Sequence, residues 1–426
     1  MESSSSSAVT TRSISSASGE NNNYMVMKEY WQTWQAGGLH KVLCMEGGDE
    51  DSSYAKNSQA SASAITLCKP LLLTAIQSMK LFFIETNEGD SDTAYYDSIR
   101  IADLGCATGY NTLATIDMIV GSLRKRYLNE CGFDPEFEVF FSDLPSNDFN
   151  SLFRSLTAMF DSVSDNNNKT LNKYYAAGVP GSFYHRLFPK SKLHIAVSLS
   201  ALHWLSEIPK VVLDKTSPAW NKGRAWIEGA NKEVVEAYAK QSEKDLQDFL
   251  VCRKEEIAKG GMLFILMAGR PESQPPENQL GDDADSRAKH PFTTSMDQAW
   301  QDLLDEDLID EETRDMFNIP AYMRSKEEVE NAINKCGGFE IKRMEYKRIV
   351  EHSEEKQQEW IMDPVSYGRA KANLVRATLR PIVEAHIGPY LCDQFFNRFQ
   401  TRVSSDFNLL HKTCFYGVII VCAIRI

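Results

Sequence analysis

The chain has 426 residues, and 42% of them are hydrophobic, which provides enough apolar material for a sizeable core. Its 59 acidic residues outnumber its 46 lysines and arginines, and the net charge of −13 argues against nucleic acid, which is bound through basic contacts to phosphates. The nine cysteines are scattered singly, which indicates a reducing, cytoplasmic compartment and argues against structural zinc, so no metal is expected. No run reaches the roughly 18 apolar residues that a membrane span needs.

Residues 1–36 are predicted to be a flexible tail rich in serine. Within this tail, Tyr24, Met27, Trp31 and Trp34 recur at roughly helical spacing, which predicts a short helix that docks on the core or on a partner. The tail lacks the apolar core of a secretory signal peptide, and a plastid transit peptide stays open as an alternative.

From residue 37 onward, predicted strands alternate with predicted helices. The strands are predicted at 98–104, 137–143, 173–177, 192–198, 262–268, 338–346 and 414–425. The helices are predicted near 68–85 and at 231–258, 291–309, 324–336, 366–384 and 389–409. The helix 231–258 is expected to stop at Gly260 and Gly261. This alternation predicts an α/β fold with a doubly wound, mostly parallel sheet, whose ligand lies at the carboxyl ends of the strands.

The same pattern divides the chain into an α/β core over 37–285, a helical cap over 286–336, and a last part over 337–426. The last part is expected to add further cap helices and to return to the core as a C-terminal strand. Residues 270–286 are rich in proline, glycine and aspartate, which predicts a mobile loop ahead of the cap.

The sequence Arg-Ile-Ala-Asp-Leu-Gly-Cys-Ala-Thr-Gly-Tyr-Asn-Thr at 100–112 predicts a strand, a tight turn and a helix. Gly105 and Gly109 let the backbone approach a ligand closely, and Asp103 can accept hydrogen bonds from that ligand. An aspartate here would repel a pyrophosphate and attract an ammonium group, so the motif favours S-adenosylmethionine over a dinucleotide. An ordinary glycine-rich turn without a cofactor is the alternative.

A second acid, Asp143, ends the predicted strand 137–143. In nucleotide-binding α/β domains, the acid at the end of the second strand holds the ribose hydroxyls, and the same role is predicted here. The alternative is that Asp143 caps a helix, because Pro145 and Asn147 follow it.

Four motifs occur in order in the first half of the chain. They are the glycine-rich turn, Ser-Asp-Leu-Pro-Ser-Asn-Asp-Phe-Asn at 142–150, Gly-Val-Pro-Gly-Ser-Phe-Tyr-x-Arg-Leu-Phe-Pro at 178–189 and Ser-Ala-Leu-His-Trp-Leu-Ser at 200–206. Together they resemble the plant SABATH family of carboxyl methyltransferases and N-methyltransferases, from about Leu43 to the C-terminus. The segments that resemble its gibberellin carboxyl methyltransferase branch lie at 225–239, 289–294 and 297–303.

The resemblance implies a Rossmann-like class I methyltransferase with a seven-stranded sheet and an α-helical cap. It implies that S-adenosylmethionine is the cofactor and that the product is the methyl ester of a bulky plant acid, with a gibberellin as the expected substrate. The cofactor-binding residues that it implies are Tyr54, Asn57, Ser58, Asp103, Gly105, Asn111, Asp143, Leu144, Ser182 and Phe183. The substrate-binding residues that it implies are Ser61, Ser200, His203, Trp204, Phe292, Thr293, Met296, Tyr322, Val375 and Phe415.

Trp204 and His203 are the implied catalytic residues. The indole N–H of Trp204 can only donate, so it suits a substrate carboxylate, and His203 is expected to add a donor. The chain departs from the family at Ser61, which replaces a glutamine donor and so leaves Trp204 as the main donor, and at Ser200, which replaces a tyrosine and is expected to widen the pocket. It also departs at Tyr110, which replaces a proline of the glycine-rich turn.

Methyl transfer to a carboxylate needs no general base, because an acid with a pKa of about 4–5 is already ionised at neutral pH. Several alternatives remain open at this point. They are methylation of indole acetate, jasmonate or salicylate, N-methylation, a non-catalytic hormone-binding homologue, and nicotinamide-dependent oxidoreduction. A homodimer is also left open.

Overall fold

A computed structural model describes residues 38–82, 98–162, 173–280, 291–350, 352–411 and 415–426. The predicted tail and helix within residues 1–36 lie outside this part of the chain, as does the distal part of the predicted loop 270–286.

Seven strands form one sheet in the order β3-β2-β1-β4-β5-β7-β6. Their bounds are β1 Ile99–Leu104, β2 Phe137–Asp143, β3 Tyr175–Pro180, β4 Leu193–Leu199, β5 Ile257–Ala268, β6 Phe339–Val350 and β7 Phe415–Arg425. The first five are parallel, and β7 runs antiparallel to both β5 and β6. All seven predicted strands, and the doubly wound, mostly parallel sheet, are confirmed. The chain order reverses between β1 and β4, and such a reversal places a ligand at the carboxyl ends of these strands.

The helices before residue 281 are α1 Leu39–Val42, α2 Tyr54–Asn57, α3 Gln59–Ser78, α4 Tyr110–Cys131, α5 Phe149–Ser162 and α6 Lys232–Glu256. Those after residue 290 are α7 Pro291–Asp305, α8 Glu311–Met316, α9 Lys326–Cys336, α10 Glu354–Met362, α11 Pro364–Ser405 and α12 Phe407–His411. The helix predicted near 68–85 begins and ends earlier. Its buried residues Ala64, Cys68, Leu72 and Ile76 recur at helical spacing and bring the preceding turn onto the sheet.

The prediction that α6 stops at Gly260 and Gly261 is wrong. The helix ends at Glu256, because Ile257 is already extended and pairs with Leu193 of β4. The two glycines lie in a register shift of β5, where the pairing moves from Leu193 opposite Ile257 to Ile195 opposite Met262.

Two helical layers cover the sheet, and a third cluster forms the cap. The first layer contains α3, α4 and α5. The second contains α6 and α9, so the helix predicted at 324–336 as part of the cap packs on the sheet instead. The cap core is built mainly from α7 and the long helix α11, and it also takes in core-side residues such as Leu205 and Trp226.

Among the described helices, α3 alone is long and apolar enough, by length and composition, to cross a membrane. This is weak evidence, because the core helix of a folded domain has the same composition. Its buried stripe packs against α4, β5 and β7.

Helix α11 turns back on itself at Gly388, where φ is +78° and Pro389 follows. Its two halves then lie side by side, with Arg380 bonded to Asp393 and Arg376 bonded to Asn397. Gly368 lies at this contact. A Cβ atom placed there would meet the Ser404 Oγ at 1.9 Å and the Gln400 carbonyl oxygen at 2.7 Å.

We expect Gly368→Ala to destabilise the protein by about 1–3 kcal/mol, because the added methyl overpacks the contact between the two halves of α11. Gly121→Ala is the matched control, since Gly121 is an exposed residue of α4 where an added Cβ atom would meet nothing within 4 Å. That change should stabilise by about 0.5–1 kcal/mol. Denaturant unfolding of both variants measures the difference, and equal effects would contradict this packing argument.

Candidate active site

A cleft opens at the carboxyl ends of β1, β2 and β4 and encloses about 960 Å³, including the space at its mouth. It collects eleven of the residues that the sequence singles out. They are Tyr54, Ser61, Asp103, Gly105, Asn111, Asp143, Leu144, Ser182, Phe183, Ser200 and Trp204. The cleft therefore joins the predicted cofactor residues to three of the predicted substrate residues.

The turn after β1 forms the floor of the cleft, and glycine is required in it twice. Gly105 has a φ of +81°, and a Cβ atom there would lie 2.4 Å from the Cβ of Ala201. Gly109 has a φ of +107° and lies against the backbone of Ala55, which belongs to α2. Because Gly109 has no side chain, α2 can pack over the start of α4.

Asp103 is 2% exposed at the end of β1. Its Oδ2 accepts a hydrogen bond from the Thr112 hydroxyl, while its Oδ1 is buried with no partner among the described residues. Burial, which outweighs the Thr112 hydrogen bond, raises the pKa of Asp103 to about 7. This arrangement leaves one carboxylate oxygen for a cationic or hydrogen-bonding ligand group.

Asp143 ends β2 on the opposite side of the turn. Its two oxygens accept hydrogen bonds from the Ala107 and Leu144 amides, each at 2.7 Å. Burial raises its pKa to about 6, against the lowering effect of these two bonds. The alternative in which Asp143 caps a helix is overturned, because Asp148 accepts from the Ser151 amide at the start of α5.

The N-terminal segment, residues 39–61, closes one side of the cleft. Tyr54 faces Ser61 there, with 3.2 Å between their hydroxyl oxygens, and burial raises the pKa of Tyr54. Ser58 does not line the cleft but accepts a hydrogen bond from Asn111 at 3.0 Å. The amide of Asn57 donates to the carbonyl groups of 51 and 53, so this side chain orders the segment itself.

Trp204 lies at the cleft end of the loop after β4. Its indole N–H has no hydrogen-bond partner within the described part of the chain, so this donor is available to a ligand. The imidazole of His203 lies beside it, with 5.3 Å between ring centroids, but His203 is not part of the lining. Burial, and then the charge of Arg324, lowers the pKa of His203 to about 4, so this side chain is neutral at pH 7.

The structure does not bring the predicted acyl-pocket residues of the cap into this cleft. Met296, Tyr322 and Val375 are buried in the cap core, and Thr293 is buried nearby in α7. The Tyr322 hydroxyl is engaged by Glu328 at 2.8 Å. Phe415 lies at the start of β7 under the guanidinium of Arg348, and the side chain of Phe292 lies outside the described part. The roles of these residues stay predictions.

Part of the lining lies outside the predicted site residues. Leu39, Leu43 and Met45 form an apolar wall ahead of the recognised motifs, and Tyr184 follows Phe183 in the loop after β3. The sequence signal that could have indicated this wall is a group of apolar residues just before the glycine pair Gly47 and Gly48. Helix or strand periodicity could not have indicated Tyr184, because the loop after β3 has no regular secondary structure.

The residues present fit S-adenosylmethionine. The buried free oxygen of Asp103 suits the ammonium group of its methionine part, and Asp143 can accept additional bonds from ribose hydroxyls. Ser182 and Phe183 supply a polar group and an apolar ring for an adenine. Among the described residues, no cluster of histidine, cysteine or acidic side chains could hold a metal ion.

Comparisons with known proteins identify the family of the chain. The family model described as SAM dependent carboxyl methyltransferase matches residues 40–425. Gibberellic acid methyltransferase 2 of Arabidopsis thaliana is 57% identical over 92% of this chain and 97% of its own. Gibberellic acid methyltransferase 1 of the same plant is 53% identical over 91% of this chain and 98% of its own. A solved structure of loganic acid methyltransferase with SAH is 32% identical and superposes with a TM-score of 0.72 over 89% of this chain and 98% of its own.

We expect the affinity for S-adenosylhomocysteine to fall as the pH is lowered from about 8 to about 6. Since the pKa of Asp103 is raised to about 7, acid protonates the carboxylate that attracts the ligand's ammonium group. Ligand binding near neutral pH should therefore release protons, and calorimetry in buffers of different ionisation enthalpy measures that release. Asp103→Asn should weaken binding and remove most of the proton release, whereas an unchanged release would assign it to another group.

Proposed function

The chain belongs to the S-adenosylmethionine-dependent carboxyl methyltransferase family, and from that premise we propose that it forms the methyl ester of a gibberellin. Support comes from the 57% and 53% identity to two gibberellic acid methyltransferases, over nine-tenths of the chain. Within the cleft, the observation that carries the proposal is the pair of small side chains, Ser61 and Ser200, in the same lining as Trp204. Two serines leave room for a bulky, rigid acid.

When bound, S-adenosylmethionine supplies an activated methyl group. The protein's task is to orient a carboxylate oxygen toward that group and to exclude water, and orientation can contribute several kcal/mol. No side chain of the cleft has to remove a proton, because the acid is already ionised. Trp204 donates its free N–H to the carboxylate, which offsets part of the desolvation of that charge.

His203 acts behind Trp204 in this proposal. Its pKa of about 4 keeps the ring neutral at physiological pH, so it brings no positive charge to the substrate. Its Nδ1 is buried with no partner among the described residues. The ring thus supports the position of the Trp204 indole at a centroid distance of 5.3 Å.

We expect Trp204→Phe to lower kcat/KM for the acid by a factor equivalent to about 1–3 kcal/mol, because it keeps the ring but removes the donor. Binding of S-adenosylhomocysteine should be nearly unchanged. Trp360→Phe is the matched control, since Trp360 packs beside Tyr367 in the cap and does not line the cleft. Wild-type turnover by Trp204→Phe would reduce Trp204 to a packing role.

The substrate is tested with a panel of acids and labelled S-adenosylmethionine. We expect kcat/KM for a gibberellin to exceed that for salicylate or benzoate by at least ~100-fold, roughly 2.7 kcal/mol, because a one-ring acid leaves voids. Ser200→Tyr should reduce this preference, and Ser61→Gln should be neutral or inhibitory. Comparable turnover of small aromatic acids would reject gibberellin as the substrate and leave the methyltransferase activity intact.

We also propose that the enzyme acts in the cytoplasm, in support of which the eight cysteines of the described part are all unpaired. A homodimer stays a prediction. Fractionation of plant cells and light scattering of the purified protein test these two statements separately.

A further inference from the structure

The segment between β3 and β4 carries part of the cleft but contains no helix or strand. It presents Ser182, Phe183 and Tyr184 to the lining. Within the segment, the His185 amide donates to the Ser182 carbonyl at 2.9 Å, and the Tyr184 amide donates to the Ser182 hydroxyl at 3.3 Å. The Arg186 side chain also donates to the Phe188 carbonyl at 3.0 Å. Buried backbone groups without a ladder must find partners elsewhere, and here they find them on α6.

Two side chains at the end of α6, Arg253 and Glu256, bind this segment from behind. Arg253 donates to the carbonyl oxygens of Phe183 and His185 at 2.9 and 3.0 Å. Glu256 accepts from the amides of Leu187 and Phe188 at 2.6 and 3.1 Å. One ion pair, closed by a 2.8 Å bond between Arg253 and Glu256, therefore holds four backbone groups of residues 183–188.

The pair is completely buried, with 0% of either side chain exposed. Burying two charges is expensive, and replacing such a pair with apolar residues is often neutral or stabilising in other proteins. A contribution to stability therefore does not explain well why a buried ion pair is present here. Its four backbone contacts explain it better, because they fix the conformation of a segment that has no secondary structure of its own.

The same arginine also supports the ring of Phe183. The guanidinium of Arg253 lies 5.1 Å from the centroid of Phe249, and Phe249 makes an edge contact with Phe183 at 5.9 Å. Tyr184 makes a second edge contact with Phe183 at 4.7 Å, and its hydroxyl donates to the Trp204 carbonyl. Backbone and ring positions of Phe183 are thus both set from α6.

We propose that Arg253 and Glu256 are positioning residues for the cofactor, which hold residues 183–188 in the conformation that presents Phe183 to the adenine. The proposal rests on the family's cofactor and not on the identity of the acid. It therefore stands or fails independently of the gibberellin assignment.

The test uses Arg253→Lys and the double variant Arg253→Met/Glu256→Leu. The lysine reaches fewer carbonyl groups, and the double variant removes the four contacts without leaving a lone buried charge. We expect the Kd of S-adenosylhomocysteine, measured by calorimetry, to rise about 5- to 30-fold in Arg253→Lys and further in the double variant. KM for S-adenosylmethionine should rise in parallel, while KM for the acid stays within about twofold.

Arg126→Lys is the matched control. Arg126 pairs with Glu130 on α4 and donates to the carbonyl groups of Ile76 and Met79, but these contacts are remote from the cleft lining. It should lower the melting temperature without changing cofactor affinity. Folded Arg253 variants with wild-type affinity, or an equal loss in Arg126→Lys, would overturn the proposal.

A measurement on the wild-type protein decides the matter if the Arg253 variants do not fold. Hydrogen exchange of the peptide covering 183–188 is followed with and without S-adenosylhomocysteine. We expect the amides of Leu187 and Phe188 to be protected already in the ligand-free protein, because Glu256 accepts a hydrogen bond from each of them. Rapid exchange that slows only when the ligand is added would show that the ligand orders the segment, and would overturn the proposal.

Discussion

The burial of two carboxylates at adjacent strand ends is the constraint on which the cleft depends. Asp103 and Asp143 lie near the ends of the neighbouring strands β1 and β2, where Asp103 pairs with Phe141 and Asp143 follows two residues later. A carboxylate taken out of water must find donors, and here they are the Ala107 amide in the turn after β1 and the Thr112 hydroxyl in the first turn of α4. That turn can form only because Gly105 accepts a φ of +81° against Ala201. The affinity for a ligand therefore depends on both the register of the sheet and the conformation of the turn.

The donors do not fully offset the burial, so the two carboxylates favour a ligand that carries a positive charge. The pKa values of about 7 and 6 for Asp103 and Asp143 mean that the ligand-free protein holds these charges at a cost in free energy. A ligand that brings an ammonium group and hydroxyl donors relieves that cost. The same two carboxylates would repel the pyrophosphate of a dinucleotide. A glycine-rich turn that binds a dinucleotide must therefore lack an acid at this position.

The sequence predicts the centre of the sheet well because β1, β2 and β4 are short, mostly apolar runs. It also predicts the residues of the cleft that follow those strand ends, such as Asp103, Asp143 and Ser182. It does not predict the place of α9, whose apolar residues fit either the cap or the sheet until tertiary contacts decide. It does not predict the roles of Arg253 and Glu256 either, because both resemble ordinary charged residues of a helix end.

The residues that contact the acid are harder to predict from the sequence than those that contact the cofactor. Met296, Tyr322 and Val375 have the size and polarity of pocket residues, and they have those of core residues too. Periodicity places Met296 and Val375 on the inner faces of helices, but it cannot say whether an inner face meets another helix or a ligand. In the structure all three residues lie in the cap core. The reversal of α11 at Gly388, which packs its two halves side by side, cannot be read from periodicity either.

A chain with a net charge of −13 has to bind an anionic substrate under the proposed function. The lining of the cleft offers the neutral N–H donor of Trp204 and contains no lysine or arginine among its described residues. During methyl transfer the carboxylate loses its negative charge as the new bond to carbon forms, so a cation bound to it would stabilise the substrate more than the transition state. In the proposed mechanism, the Trp204 N–H orients the oxygen without that penalty. The low pKa of His203 fits the same mechanism, because burial, and then the charge of Arg324, keep the imidazole beside the indole neutral.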